Sequence, residues 1–266
     1  MNSRMLRAAA LLILAVAVLA ACAPNAPSEV SATPPISPPQ NESRKIPFDA
    51  DQLYPPDQQT VITEPVDSSD IVTVLASNDA ESGLELMFYA AQDGVIYGAY
   101  REKQGADWLR FLTEDTTAYE DSGSYGFHPF DNVLGHSGFV VLAPRGAAYF
   151  ANDYYYFDED GTLKFLVGAA ETVIENDFDG DGTKEIAEFY HGGRDTSYFF
   201  ERDGELLCFY LTDALRDAFP EWEYVFANPY DTDGAEINVS YKLSDEDDEH
   251  SARVTLSKDE LTVHFG

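Results

Sequence analysis

The sequence predicts an all-β protein assembled from antiparallel sheets, and three observations carry that expectation. From about Asp70 onward the chain falls into short runs rich in Val, Ile, Tyr and Phe, residue types that suit a pleated, half-buried surface. Asp-Gly and Gly turns separate the runs, supplying the left-handed backbone that tight hairpins need. The third observation is an internal echo of aromatic strand, Asp-Gly turn and apolar strand at Phe88 to Val95, Tyr156 to Leu163 and Phe199 to Leu206, with a looser copy at Leu256 to Leu261. With one or two strands ahead of each copy, the chain divides into modules near 70–113, 125–168, 172–211 and 222–265. Repeats of roughly 40 to 50 residues with up to four strands suggest a propeller-like arrangement of about four blades, or an incomplete propeller. The unequal spacing leaves a β-sandwich as the alternative.

The first element is a leader. Arg4 and Arg7 form a short basic region, Ala8 to Val18 is an apolar run of 11 residues, and Leu19-Ala20-Ala21-Cys22 places small residues before a cysteine. The run is short for a transmembrane helix, which needs ~20 residues. The pattern resembles a bacterial lipoprotein signal, and the resemblance implies cleavage after residue 21 and a lipid-modified Cys22. The expected address is therefore the cell membrane, lipid-anchored on its extracytoplasmic face; an ordinary secretory signal or an uncleaved anchor is the alternative.

Next comes a tether, expected over 22–66. Ala23 to Pro65 holds 10 of the 14 prolines, with Ser, Thr, Asn and Gln between them. Such a composition favours an extended or disordered spacer over a packed core. The remainder, 67–266, reads as a single β-repeat domain. Its candidate strands are Ile71 to Ala76, Leu84 to Ala90, Val95 to Tyr100, Phe139 to Leu142, Ala147 to Phe150, Tyr154 to Phe157, Leu163 to Val167, Glu185 to Tyr190, Ser197 to Glu201, Leu206 to Leu211, Trp222 to Phe226, Glu236 to Leu243, Ala252 to Ser257 and Leu261 to Phe265. One helix is expected between the last two modules, with Thr212 as its cap, Leu215 and Phe219 on one face, and Pro220 as its stop.

The most specific stretch is Asp177-Phe178-Asp179-Gly180-Asp181-Gly182-Thr183-Lys184-Glu185-Ile186. Carboxylates at loop positions 1, 3, 5 and 9 with glycine at 6 form an oxygen-rich arrangement suited to calcium. Converging carboxylates repel by about 1 kcal/mol per close pair even in water, so the spacing calls for a cation. Asp177, Asp179, Asp181 and Glu185 are the expected side-chain ligands, with the backbone carbonyl of Thr183 at position 7; a plain Asp-Gly turn is the alternative. Glu188 stands at position 12, where an EF-hand has its bidentate Glu, but Lys184 occupies position 8 and the exit is too short for a helix before His191-Gly192-Gly193. The stretch instead resembles the loop of FG-GAP and VCBS-type β-repeats, which implies a structural Ca²⁺ at the entry of a strand. Asp231, Asp233 and Glu236 repeat the second half of this loop without an acid at position 1, and are expected to bind metal more weakly or not at all.

Charge excludes one class of partner. With 48 Asp and Glu against 16 Lys and Arg, the net charge is −32, and a polyanion needs a basic stripe that is missing here, so no nucleic-acid partner is expected. Cys22 and Cys208 are the two cysteines; an acylated Cys22 leaves no intramolecular disulfide, and Cys208 reads as a buried strand residue. Gly135-His136-Ser137-Gly138 begins like a nucleophile elbow but continues with Phe139 and a β-branched run. The five histidines show no zinc spacing. The function expected is an anchored accessory or binding module for an unidentified protein or glycan, more an interaction protein than an enzyme. An exported hydrolase with a dispersed site and a purely structural envelope lipoprotein are the alternatives.

Overall fold

A computed structural model describes residues 42–79, 83–102, 106–111, 125–145, 149–170, 172–190, 193–243 and 248–266. They form an all-β architecture of four antiparallel sheets that follow one another along the chain. Sheet I contains β2 (Thr63–Pro65), β3 (Ile71–Asp79), β4 (Leu84–Ala91), β5 (Ile96–Glu102) and β6 (Leu109–Phe111), in the order β2-β6-β5-β4-β3. Sheet II is the meander β7 (Gly126–Val133), β8 (His136–Arg145), β9 (Tyr149–Phe157) and β10 (Leu163–Ala170). Sheet III is the meander β11 (Thr172–Asn176), β12 (Glu185–Tyr190), β13 (Asp195–Arg202) and β14 (Glu205–Tyr210). Sheet IV contains β15 (Tyr224–Asp233), β16 (Glu236–Lys242), β17 (His250–Leu256) and β18 (Glu260–Phe265), with β1 (Ser43–Pro47) added beside β18. Each of the four expected modules forms the body of one sheet, and β1 and β2, which precede the modules in the chain, complete sheets IV and I.

Hydrophobic layers hold the sheets face to face. Phe88 and Phe111 of sheet I pack with Phe139, Tyr155 and Phe165 of sheet II. The opposite face of sheet II sets Val140, Tyr154 and Val167 against Ile186, Phe199 and Cys208 of sheet III. Sheet III in turn sets Phe189, Tyr198, Phe200 and Phe209 against Val239, Val254 and Val263 of sheet IV. Sheets II and III are thus covered on both faces, which is why β9 and β13 carry consecutive aromatics, Tyr154-Tyr155 and Tyr198-Phe199-Phe200, buried on alternate faces. Sheet IV buries one face, and β16 alternates accordingly, with Ile237, Val239 and Tyr241 inward. Each large side chain so buried contributes about 1.5–3 kcal/mol.

Several expectations change. Residues 42–66 are not free spacer: β1 pairs with β18 and β2 with β6, the Phe48 ring lies 4.3 Å from that of Phe209, and Tyr54 exchanges backbone hydrogen bonds with Cys208 at 2.9 and 2.7 Å. The apolar residues Ile46, Phe48, Leu53 and Val61, dispersed among the prolines, dock onto the layers. Pro47 and Pro65 lie on edge strands, where a missing N–H is tolerated. The leader and residues 22–41 lie outside the described residues. Strands β1, β2, β6, β7 and β11 were not expected; β7 carries Pro129, which its edge position accommodates. The strands expected at Ala147 to Phe150 and Tyr154 to Phe157 belong to one continuous strand, β9, within which Asn152 and Asp153 are buried.

The helix, α1, spans Leu211–Ala218 and begins directly from β14, so Tyr210 occupies the cap position without a side-chain cap. Thr212 is correspondingly inside the first turn and 1% exposed. Leu215 and Phe219 are buried in the layer between sheets III and IV, as their spacing predicts.

One glycine is fixed by close approach. A Cβ on Gly138 in β8 would stand 2.0 Å from the Tyr155 carbonyl oxygen, inside the ladder that pairs β8 with β9. Gly138→Ala is expected to cost about 1–3 kcal/mol in urea denaturation through forced backbone displacement; a variant as stable as the parent would refute that close approach.

Candidate metal centre

The loop at 177–184 joins β11 to β12 and is folded by its own acids. Asp177 accepts hydrogen bonds from the Gly180 N–H at 2.7 Å and the Gly182 N–H at 3.0 Å. Asp179 accepts from the Asp181 N–H at 3.1 Å, and Asp181 from the Thr183 N–H at 2.7 Å. Gly180 and Gly182 have φ of +79° and +93°, a conformation open to glycine at little cost. Ring and strand hold the other end: Phe178 is buried against Tyr198, with centroids 5.8 Å apart, and its N–H donates to Glu185 Oε2 at 2.8 Å.

Three carboxylates converge. Asp177, Asp179 and Glu185 each present an oxygen within 4.8 Å of the others. Glu185, the first residue of β12, is 1% exposed. Its burial, opposed in part by the Phe178 N–H and reinforced by the charges of Asp179 and Asp181, pushes its carboxyl up to about 7. Burial likewise raises Asp179, with the charges of Asp181 and Asp177 adding to it. The fully buried Tyr198 hydroxyl faces Glu185, and burial followed by that acid's charge pushes its own pKa up. The result is a half-buried, oxygen-lined concentration of acids, the chemistry of a hard-cation site.

Asp181 stands apart from the other three. Its second oxygen is bonded to Lys258 from the β17–β18 turn, which together with the Thr183 N–H holds it below the usual carboxylate range. Thr183, at position 7, spends its N–H on Asp181. Neighbouring sheets clasp the loop from both sides. Asn132 of the β7–β8 hairpin donates to the Gly182 carbonyl at 2.6 Å, and its own carbonyl accepts from the Lys184 N–H at 2.9 Å. On the sheet IV side, Asn176 donates to the Gly234 carbonyl at 2.5 Å. None of Asn132, Asn176, Tyr198 or Lys258 carries a local motif: Asn132 and Lys258 reach the loop from neighbouring sheets, Tyr198 comes beside Glu185 through the pairing of β12 with β13, and Asn176, next to the loop in the chain, links it to sheet IV.

The exit of the loop is a strand. Glu188 lies within β12 opposite Ser197, away from the carboxylate cluster, which separates this loop from the helix-exiting EF-hand form. The second acidic stretch is a β-hairpin: β15 reaches Asp233, Gly234 turns with φ +63°, and Glu236 begins β16. Glu236 is ion-paired with Arg253 at 2.7 Å, while the side chains of Asp231 and Asp233 lie outside the described set. Cys208 is buried in β14, and burial, with Glu188 and Asp57 nearby, pushes its thiol up to about 11. At the β7–β8 turn, Ser137 donates to Asp131 at 2.6 Å while the His136 ring packs on Tyr156 at 3.9 Å. The chain matches no family description, curated protein or solved structure.

Proposed function

We propose that this chain is a lipid-anchored extracytoplasmic protein whose stacked sheets are stabilised by one structural calcium ion and serve as a binding or accessory module for a protein or glycan. The convergence of Asp177, Asp179 and Glu185 around a buried carboxylate is the observation that carries the reading. In this reading the three acids supply hard oxygen ligands, Asp181, two residues beyond Asp179, has Lys258 as its counter-charge, and a bound ion neutralises Glu185. A cation at this junction also tethers three sheets, since the loop belongs to sheet III and is gripped by residues of sheets II and IV.

The anchor rests on the residues around Cys22. Acyl chains on that residue hold a protein at a membrane by roughly 0.8 kcal/mol per buried CH₂, and more than one chain gives stable attachment. Replacing Cys22 with Ser is expected to move the protein from the membrane fraction to the soluble fraction. A Cys22→Ser protein that sediments with membranes as the parent does would sink the anchor.

A further inference from the structure

Lys258 carries a positive charge to the acidic loop from sheet IV. Its ammonium bonds Asp181 Oδ2, and that bond, with the charges of Asp181, Asp179 and Glu185 behind it, raises the ammonium's pKa. A cation is thus already drawn toward the acids of the loop. A second group points the same way. The Tyr198 hydroxyl is fully buried, faces Glu185 and closes no hydrogen bond among the described residues. A donor in that position favours the ionised carboxylate that a cation needs.

The lysine is built to leave. The turn that presents it is fixed by its own bonds: the Ser257 hydroxyl donates to the Glu260 carbonyl at 2.8 Å and accepts from the Glu260 N–H at 3.1 Å. Arg202 of β13 donates to the Lys258 carbonyl at 3.1 Å. The backbone at 258 is therefore held, while the ammonium rides on a flexible stem whose side chain is 32% exposed. Such a head group moves into water without disturbing the turn. The acid has no oxygen to spare, since Oδ1 accepts the Thr183 N–H and Oδ2 is bonded to Lys258. By its loop position Asp181 is the next ligand for an ion held by Asp177, Asp179 and Glu185. A divalent ion and an ammonium on the same carboxylate repel.

We propose that Lys258 is an internal competitor of the metal: its ammonium and a calcium ion take the Asp181 carboxylate in turn, so calcium binding expels the lysine and the lysine sets the affinity of the loop. The proposal rests on the calcium reading and adds its control. Sheet IV keeps its hold on the loop through the bond from Asn176 to the Gly234 carbonyl. A lysine that weakened the site only through its field would act whether or not Asp181 can ligate.

Calorimetric titration of calcium into the full chain, for the parent, Lys258→Met, Asp181→Asn and the double variant, separates competition from field. Lys258→Met is expected to tighten binding about tenfold, because the ion no longer has to break a charge-assisted hydrogen bond. In the Asp181→Asn background the same substitution is expected to change Kd by less than about twofold. Equal Kd for parent and Lys258→Met, or a tightening that persists in full without Asp181, overturns this inference and leaves the calcium centre standing. Parent and Lys258→Met proteins that both fail to bind calcium remove the calcium centre, and the inference falls with it. Amine acylation of the parent reads the displacement without any substitution. Calcium is expected to raise labelling of Lys258 several-fold relative to Lys164, whose partner Asp158 lies in sheet II's β9–β10 hairpin. Where Asp181→Asn abolishes calcium binding altogether, this labelling decides. Lys258 labelling that calcium leaves unchanged overturns the inference.

Discussion

Ten millimolar calcium is expected to raise the unfolding free energy of this protein by about 2.7 kcal/mol. The figure follows if the loop binds like other extracellular calcium modules, with Kd near ~10⁻⁴ M, because ligand at about 100 times Kd stabilises the native state by RT ln(1 + [L]/Kd). For a domain of this size that corresponds to a rise in Tm of roughly 5 to 10 °C. The comparison is thermal denaturation in calcium against the same protein in chelator. Asp177→Asn is the informative variant: it keeps an oxygen to accept the Gly180 or Gly182 N–H while removing the charge, so the apo form should still fold and the calcium shift should shrink to near zero. Superimposable curves with and without calcium would remove the metal centre.

The second large effect is a pH dependence that calcium should erase. In chelator, the Glu185 carboxyl titrates near 7 in the folded state, against an ordinary value of 4.5. The folded state therefore holds the proton more tightly than the unfolded chain does. Its contribution is fully present below about pH 4.5 and is lost as pH rises through 7. At about 1.4 kcal/mol per pKa unit, the loss between those limits is about 3 kcal/mol. The physical cause is the cost of ionising a carboxylate that is 1% exposed and close to Asp179. Glu185→Gln should lack this component of the loss and keep only that of the other acids, so the difference between the two proteins isolates this residue. With calcium bound, the ionised form is the one the site needs, and the parent should lose this component as well. Parent and Glu185→Gln curves that run parallel in chelator would show that Glu185 is not perturbed in this way.

Both effects centre on residues that a local pattern makes visible. The spacing of Asp177, Asp179, Asp181 and Glu185 is a property of ten consecutive residues, and a loop of that length determines its own hydrogen bonding through Asx turns and left-handed glycines. For the same reason the Asp-Gly echoes mark the hairpins, and each module they delimit forms the body of one sheet. Expectation and structure part where the local pattern is silent. Asp181 is drawn to Lys258, which follows it by 77 residues, and the Tyr198 hydroxyl faces Glu185 only because β12 and β13 pair in a particular register. The stretch at 231–236 repeats part of the acidic spacing, and its Glu236 is paired with Arg253 of the adjacent strand, a partner no local pattern announces.

The N-terminal segment shows the same division. Proline content suggested a spacer as far as residue 66, because composition averages over the few apolar residues that matter. Ile46 and Phe48 are two side chains in a polar stretch, and their value depends wholly on a receptive layer beside β18 and β14. Once that layer exists, each edge strand offers unpaired backbone groups, and pairing with β1 and β2 satisfies them at the cost of ordering a short stretch of chain.

The sequence by itself determined the all-β class, the division into four hairpin modules and the spacing of the acidic loop, since each depends on neighbours a few residues apart. The tertiary structure alone decided which sheets face one another, which acid is buried and which is matched by a lysine. Those outcomes depend on burial and on charges brought together from distant parts of the chain, and free energies of desolvation and pairing exist only once the layers have packed.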